Sequence, residues 1–372
     1  MVSYGEEQYG QTIFRVDETT EVKKVTEKMV LPDYVERISY NGELTPSDMF
    51  LLRGVQLFRV ATARMVAEWL MYYRNKIGTD GQDLPLIFPD RQTWSDADEW
   101  SLPNSYVKTI ESRLAKLARR NVLFHLCYTH RTDNALTNAS NRTAAAKHDI
   151  NFFIANPYTF RLVSARFGSE ERYAGYYYTW RMDRTMESMQ ACSVAIRAFM
   201  KVPDAKFSRE MGVIYGSTKE VYVPEIMVER DLGSIHWYIM TECFCFDFNK
   251  SEITYREKEE INREKVKRMK DLLRHENYIL QKYESVDKRY RFLVSTDSWH
   301  GLALLMTLLE DNIDIFSGRV VVTTDAALMK NRYSLQRAGM LVVEKEKEDG
   351  RRIAALRRLT DAQIRNNPWI PV

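Results

Sequence analysis

The stretch Val107-Lys108-Thr109-Ile110-Glu111-Ser112-Arg113-Leu114-Ala115-Lys116-Leu117-Ala118-Arg119-Arg120-Asn121-Val122-Leu123-Phe124-His125-Leu126-Cys127-Tyr128 changes its hydrophobic rhythm in the middle. At about 100° per residue, Val107, Ile110, Leu114, Leu117 and Ala118 fall in one arc of roughly 100°, the buried stripe of an amphipathic helix. Val122 to Tyr128 is then an almost unbroken apolar run, which reads as a strand. A polar stretch, Thr129 to Asp149, follows, and Ile150 to Ala155 reads as the strand that returns.

Working upstream, Thr45-Pro46-Ser47-Asp48 places a hydroxyl at a helix N-cap, proline at the first helical position and a carboxylate at the third. The hydroxyl and carboxylate satisfy N–H groups that have no partner inside the helix, and proline has no N–H there to waste. Met49, Leu52, Val55 and Phe58 then recur every three residues. A second helix is predicted from Thr62 to Met71, burying Met65, Val66, Trp69 and Leu70. Residues 74–104, with Gly78, Gly81, Pro85, Pro89 and Pro103, read as a loop-like insertion before the third helix, Ser105 to Asn121. Helix, helix, helix, strand, long tip, strand is the order of a winged helix-turn-helix. Residues 1–43 form a polar, acidic-leaning leader in which Val22 to Val30 fits a helix or a strand equally.

The other side of the third helix carries Lys108, Arg113, Lys116, Arg119 and Arg120, with Thr109 and Ser112 among them. Glu111 points elsewhere. Cations neutralise phosphates, and short hydroxyl side chains let a helix approach base edges. A solvated helix face usually intersperses acids; this one has none. Arg131, Arg142, Lys147 and His148 in the polar stretch fit a wing along the DNA backbone and a loop without contacts equally well.

Downstream, Met182 to Met200 reads as a helix, with strands at Met211–Tyr215, Val221–Glu229 and His236–Phe248. A charged helix from about Thr254 to Tyr278 follows, then strand Arg291–Ser295, helix Trp299–Leu309 and strand Arg319–Thr323. This order predicts a mixed sheet flanked by helices, so the fold class is α/β (α+β). The tail, residues 331–372, reads as helical and basic. Tyr173, Tyr176, Tyr177, Tyr178 and Trp180 cluster at the expected domain junction and read as packing rather than as a stacking platform for bases.

Together, Leu44-Thr45-Pro46-Ser47-Asp48, Phe58-Arg59-Val60-Ala61-Thr62 and the segment Ser112 to Leu123 resemble the winged helix of the replication-relaxation family. Its members belong to plasmids and integrative elements of Gram-positive bacteria. The resemblance covers residues 44–160. It implies that residues 161–330 form a restriction-endonuclease-like domain, whose family pattern is Pro-Asp on one strand and Glu-x-Asp or Glu-x-Lys on the next. Pro224-Glu225 and Glu242-Cys243-Phe244 stand at those places. Strand alternation puts residue 244 on the face of Glu242, and Phe244 neither binds metal nor gives up a proton. The domain is therefore read as a degenerate nuclease fold. An active nuclease would need Lys258 or Lys265 of the following helix to take the place of that lysine.

The 372 residues suffice for two or three domains, and 45% hydrophobic content suffices for their cores. Four cysteines, Cys127, Cys192, Cys243 and Cys245, do not make a disulfide scaffold at this length and read as reduced core thiols. No run of 18 apolar residues is present and residues 1–16 do not read as a signal peptide, so a cytoplasmic bacterial protein without membrane insertion is expected. Gly212 to Lys219 has the wrong order for a phosphate loop and reads as a turn between strands.

The leading expectation is a double-stranded-DNA-binding accessory protein of a mobile element, acting in plasmid transfer, replication or its control. It would work with other transfer or replication proteins; if it forms a homodimer, its DNA site should be a palindrome or direct repeat. It would need no cofactor. The alternatives are a Mg²⁺-dependent nuclease using Glu225 and Glu242, and a protein-interaction scaffold.

Overall fold

The computed structural model describes residues 20–26, 32–77, 87, 102–130, 150–168, 182–199, 202, 204–209, 212–215, 219–231, 233, 235–246, 255–280, 287–324, 339–346 and 352–358. The chain divides into two compact units, one covering Val16–Met189 and the other containing Gln190–Val372.

The first unit runs β1 (Thr20–Thr26), α1 (Pro32–Tyr40), α2 (Pro46–Phe58), α3 (Ala63–Ile77), α4 (Asn104–Arg119), β2 (Leu123–His130), β3 (Ile150–Ala155) and α5 (Pro157–Phe167). The helix start read at Thr45 forms as a capping box: Thr45 Oγ1 accepts from the Asp48 N–H at 3.2 Å and Asp48 Oδ2 accepts from the Thr45 N–H at 3.0 Å. Leu52, Val55 and Phe58 of α2 are buried with Met65, Val66, Trp69 and Leu70 of α3. Gly54 permits that packing, since a Cβ there would stand 3.0 Å from the Trp69 ring. β2 and β3 pair antiparallel, and Ala61, between α2 and α3, exchanges two backbone hydrogen bonds with Phe153 of β3.

A boundary at residue 43 does not describe this unit. β1, inside the expected leader, pairs with β2 from Thr20↔His130 onward, and α1 buries Val35 and Ile38. An edge strand draws its stability from backbone pairing, so polar residues suffice and leave no periodic signature. Likewise α5 runs across the expected boundary at residue 160, and all of it belongs to the first unit. Asn156 caps it by accepting from the Tyr158 and Thr159 N–H groups, and Gln56 of α2 donates to the Phe160 carbonyl.

The second unit continues from α6 (Met182–Phe199), which spans the division, through β4 (Lys206–Ser208), β5 (Val213–Tyr215), β6 (Glu220–Tyr222), β7 (Ile226–Asp231) and β8 (Ile235–Phe244). Then come α7 (Tyr255–Leu280), β9 (Asp287–Thr296), α8 (Trp299–Glu310), α9 (Ile313–Phe316), β10 (Val320–Thr323), β11 (Gly339–Glu346) and β12 (Arg352–Arg358). Among the described residues the main sheet has the order β12-β11-β10-β9-β8-β7-β4. β8, β9 and β10 are parallel, joined through α7 and through α8, while the outer pairs are antiparallel. Met240, Phe244, Phe292, Val294, Val320 and Val322 share one sheet face and pack on Met269 and Leu272 of α7 and Leu302, Leu305 and Leu309 of α8.

Two expectations are corrected here. The strand read as Val221–Glu229 is two strands in different sheets, because Pro224 has no N–H to give to a ladder. Within the tail read as helical, the described residues form the antiparallel pair β11–β12, which extends the main sheet. Leu341-Val342-Val343 and Ile353 through Leu356 are short apolar runs suited to a pleated surface, and strand partners override the helical composition around them. Gly339 admits the side chain of Leu356, diagonally across the pair, to which a Cβ would come within 2.7 Å.

Candidate nucleic-acid interface

α4 buries Ile110, Leu114, Leu117 and Ala118. Lys108, Thr109, Ser112, Lys116 and Arg119 are exposed, and helical geometry places all five within an arc of roughly 100° on the opposite side. Ser105 lies in the same arc and is exposed. Glu111, the acid of this helix, is held to one side: it accepts from Asn151 Nδ2 of β3 at 3.0 Å, and Asn151 Oδ1 in turn meets His125 Nε2 at 3.1 Å. The outward arc thus carries three cations and three hydroxyls and no carboxylate.

Arg113 and Arg120 do not stand on that arc. Arg113 Nη2 donates to Asp48 Oδ1 at 3.0 Å and to Thr45 Oγ1 at 3.1 Å, so it joins the capping box of α2. Arg120 Nη1 donates to the Glu43 carbonyl at 3.0 Å, and its own carbonyl accepts from the Tyr34 hydroxyl at 3.1 Å. Both lie on the flank of α4 nearest α2, where an acid and an open carbonyl compete with solvent for the guanidinium. They hold α4 in place. Arg131 and Arg142, with Lys147 and His148, lie outside the described residues.

Sequence reasoning missed Arg64 and Asn104. Arg64, in the first turn of α3, donates to Asn104 Oδ1 in the first turn of α4 at 3.2 Å, so the starts of these two helices are adjacent. Helix N-termini carry partial positive charge, which suits a phosphate. The insertion between α3 and α4 hides this neighbourhood from any local pattern.

In the second unit, Glu242 is buried and its Oε1 accepts the Tyr222 hydroxyl at 2.7 Å. Burial, then the Glu242 charge and that hydrogen bond, then the Glu225 charge, hold the Tyr222 phenol well above its usual range. Glu225 also lies 3.7 Å from Arg209. The two carboxylates of the nuclease pattern therefore both act on one phenol. Phe244 is buried in the core, and Lys265 Nζ donates to the Cys243 carbonyl at 2.8 Å while lying over the Phe244 ring. Among the described residues no three His, Cys, Asp or Glu side chains converge as metal ligands.

Cys243 and Cys245 are buried with Sγ atoms 3.4 Å apart, and none of the four cysteines is in a disulfide. Among the described residues no helix is long and apolar enough to cross a membrane. No protein-family model, curated protein or solved structure matches the chain.

Proposed function

We propose that this protein binds duplex DNA and that α4 is the element that meets it. The observation that carries the reading is the outward arc of Lys108, Thr109, Ser112, Lys116 and Arg119, exposed and free of acid. The order α2, α3, α4, β2, β3, with Ala61 bridged to Phe153, supports a winged helix in which α4 enters the major groove. The resemblance of residues 44–160 to the replication-relaxation family extends the proposal to an accessory role in transfer, replication or control of a bacterial mobile element. Salt-dependent retention on duplex DNA tests it. Absence of retention at low salt leaves the protein-interaction scaffold.

A second reading rests on the second unit. The order α6, β4, β7, β8, α7, β9 supports a restriction-endonuclease-like reading, with Glu225 immediately before β7 and Glu242 near the end of β8. Phe244 and the Tyr222–Glu242 hydrogen bond favour a degenerate site. Incubation of plasmid DNA with the protein and Mg²⁺ is expected to leave the DNA intact. Cleavage that Glu242→Gln abolishes would establish the nuclease instead.

A further inference from the structure

A pocket of about 350 Å³ opens in the first unit between the end of α1, the start of α2 and the end of α5. Leu44, Met49, Phe50, Leu162 and Phe167 give it an apolar lining, and Arg166 stands beside them. The Phe50 and Phe167 rings meet edge to face at 5.4 Å. A cavity of about 150 Å³ already takes up a benzene ring, so an aromatic side chain fits here with room to spare.

Tyr40 follows Ser39 of that lining and is 93% exposed. It ends a stripe on α1, Asp33, Glu36, Arg37 and Tyr40, all of them exposed and spaced as one helical face. Arg37 lies over the Tyr34 ring, and with Asp33 and Glu36 beside it the exposed face of α1 stays net acidic. α5, packed beside α1, exposes Arg166 and Arg161, the latter over the Tyr158 ring as Arg37 is over Tyr34. An aromatic knob with acids therefore adjoins an apolar hole with bases. A patch of that kind is complementary to itself turned by a two-fold axis.

We propose that the protein pairs with a second copy of itself, Tyr40 of each copy seated in the pocket of the other. Asp33 and Glu36 of one copy then face Arg161 and Arg166 of the other. The opposite charges on either side of the pocket select a second copy over a small apolar ligand, because the patch carries its own occupant. Tyrosine is a frequent anchor of such contacts, where it fills a desolvated pocket. Paired copies present two α4 helices, which matches a repeated DNA site. The pairing itself needs no DNA, so it succeeds or fails independently of the DNA reading.

Sedimentation equilibrium of the full chain without DNA tests it. The wild type is expected to show reversible dimerisation, and Tyr40→Ala to weaken it by about 30-fold or more. A side chain so exposed contributes little to the fold, and an unchanged thermal melt verifies this. Glu36→Arg and Arg166→Glu are each expected to weaken the dimer, and an equimolar mixture of the two variants to restore it as a heterodimer. A wild type monomeric up to its solubility limit overturns the proposal. A dimer unmoved by Tyr40→Ala, or a mixture that fails to rescue, overturns it too.

Discussion

Replacing Lys108, Lys116 and Arg119 together by alanine is expected to lower duplex-DNA affinity on the order of 100-fold near physiological salt, at roughly 1 kcal/mol per contact. The plot of log affinity against log salt should become shallower by between about two and three, because each phosphate contact contributes about 0.9 to the slope. The three side chains are exposed and leave the core stripe of α4 untouched, so the thermal melt should not move. Arg113→Ala is the control. Its guanidinium is engaged with Asp48 and Thr45, so its loss should cost about 1 kcal/mol of stability and leave the salt slope where it was. Fluorescence anisotropy over a salt series, beside urea melts, separates the two effects. Equal losses of slope in both variants would contradict the division of α4 into an outward arc and a docking flank.

Glu276→Ala is expected to destabilise the second unit by about 3–5 kcal/mol, the usual cost of stranding a buried charge. Glu276, on α7, is 1% exposed. Its Oε1 accepts from the Tyr290 N–H at 2.7 Å and from Arg291 Nη1 at 3.2 Å, and its Oε2 lies 3.3 Å from Arg319 Nη1. Burial draws the Arg291 guanidinium down to about 10, and the Glu276 charge opposes that shift. The Arg291 guanidinium also lies 4.8 Å over the Trp237 ring of β8. One carboxylate thus ties α7 to β9 and to the residue that precedes β10. Without it, the Tyr290 N–H loses its acceptor, and the Arg291 guanidinium keeps the neutral Tyr290 carbonyl at 2.6 Å but loses its counter-charge. Glu276→Gln should fall between wild type and alanine, since it can still accept from Tyr290 while the cations lose their counter-charge. Urea denaturation measures both variants; a loss below about 1 kcal/mol for alanine would show that the network relaxes or admits water.

What the sequence made legible follows from where the free energy is local. The capping box at Thr45 and the apolar stripe of α4 are settled by neighbours within a turn, so pattern reading finds them. The parallel strands β8, β9 and β10 are apolar runs buried by helices and are likewise legible. β1 is polar and forms because β2 offers it a backbone partner about a hundred residues away. β11 and β12 sit among charged residues that favour a helix in isolation, and the edge of an existing sheet decides otherwise. The same limit applies to the interface. Spacing alone puts Arg113 and Arg120 beside Lys116, but whether they face DNA depends on Asp48 and Glu43, which tertiary packing brings to their flank.

The most direct measurement is acetylation footprinting of lysines in the full chain, with and without duplex DNA. Lys108 and Lys116 are exposed on α4, and Lys267, exposed on α7, serves as the internal reference. Duplex DNA is expected to protect Lys108 and Lys116 while Lys267 reacts as before. Binding that leaves both α4 lysines as reactive as in the free protein would contradict the assignment of α4 as the DNA-contacting helix.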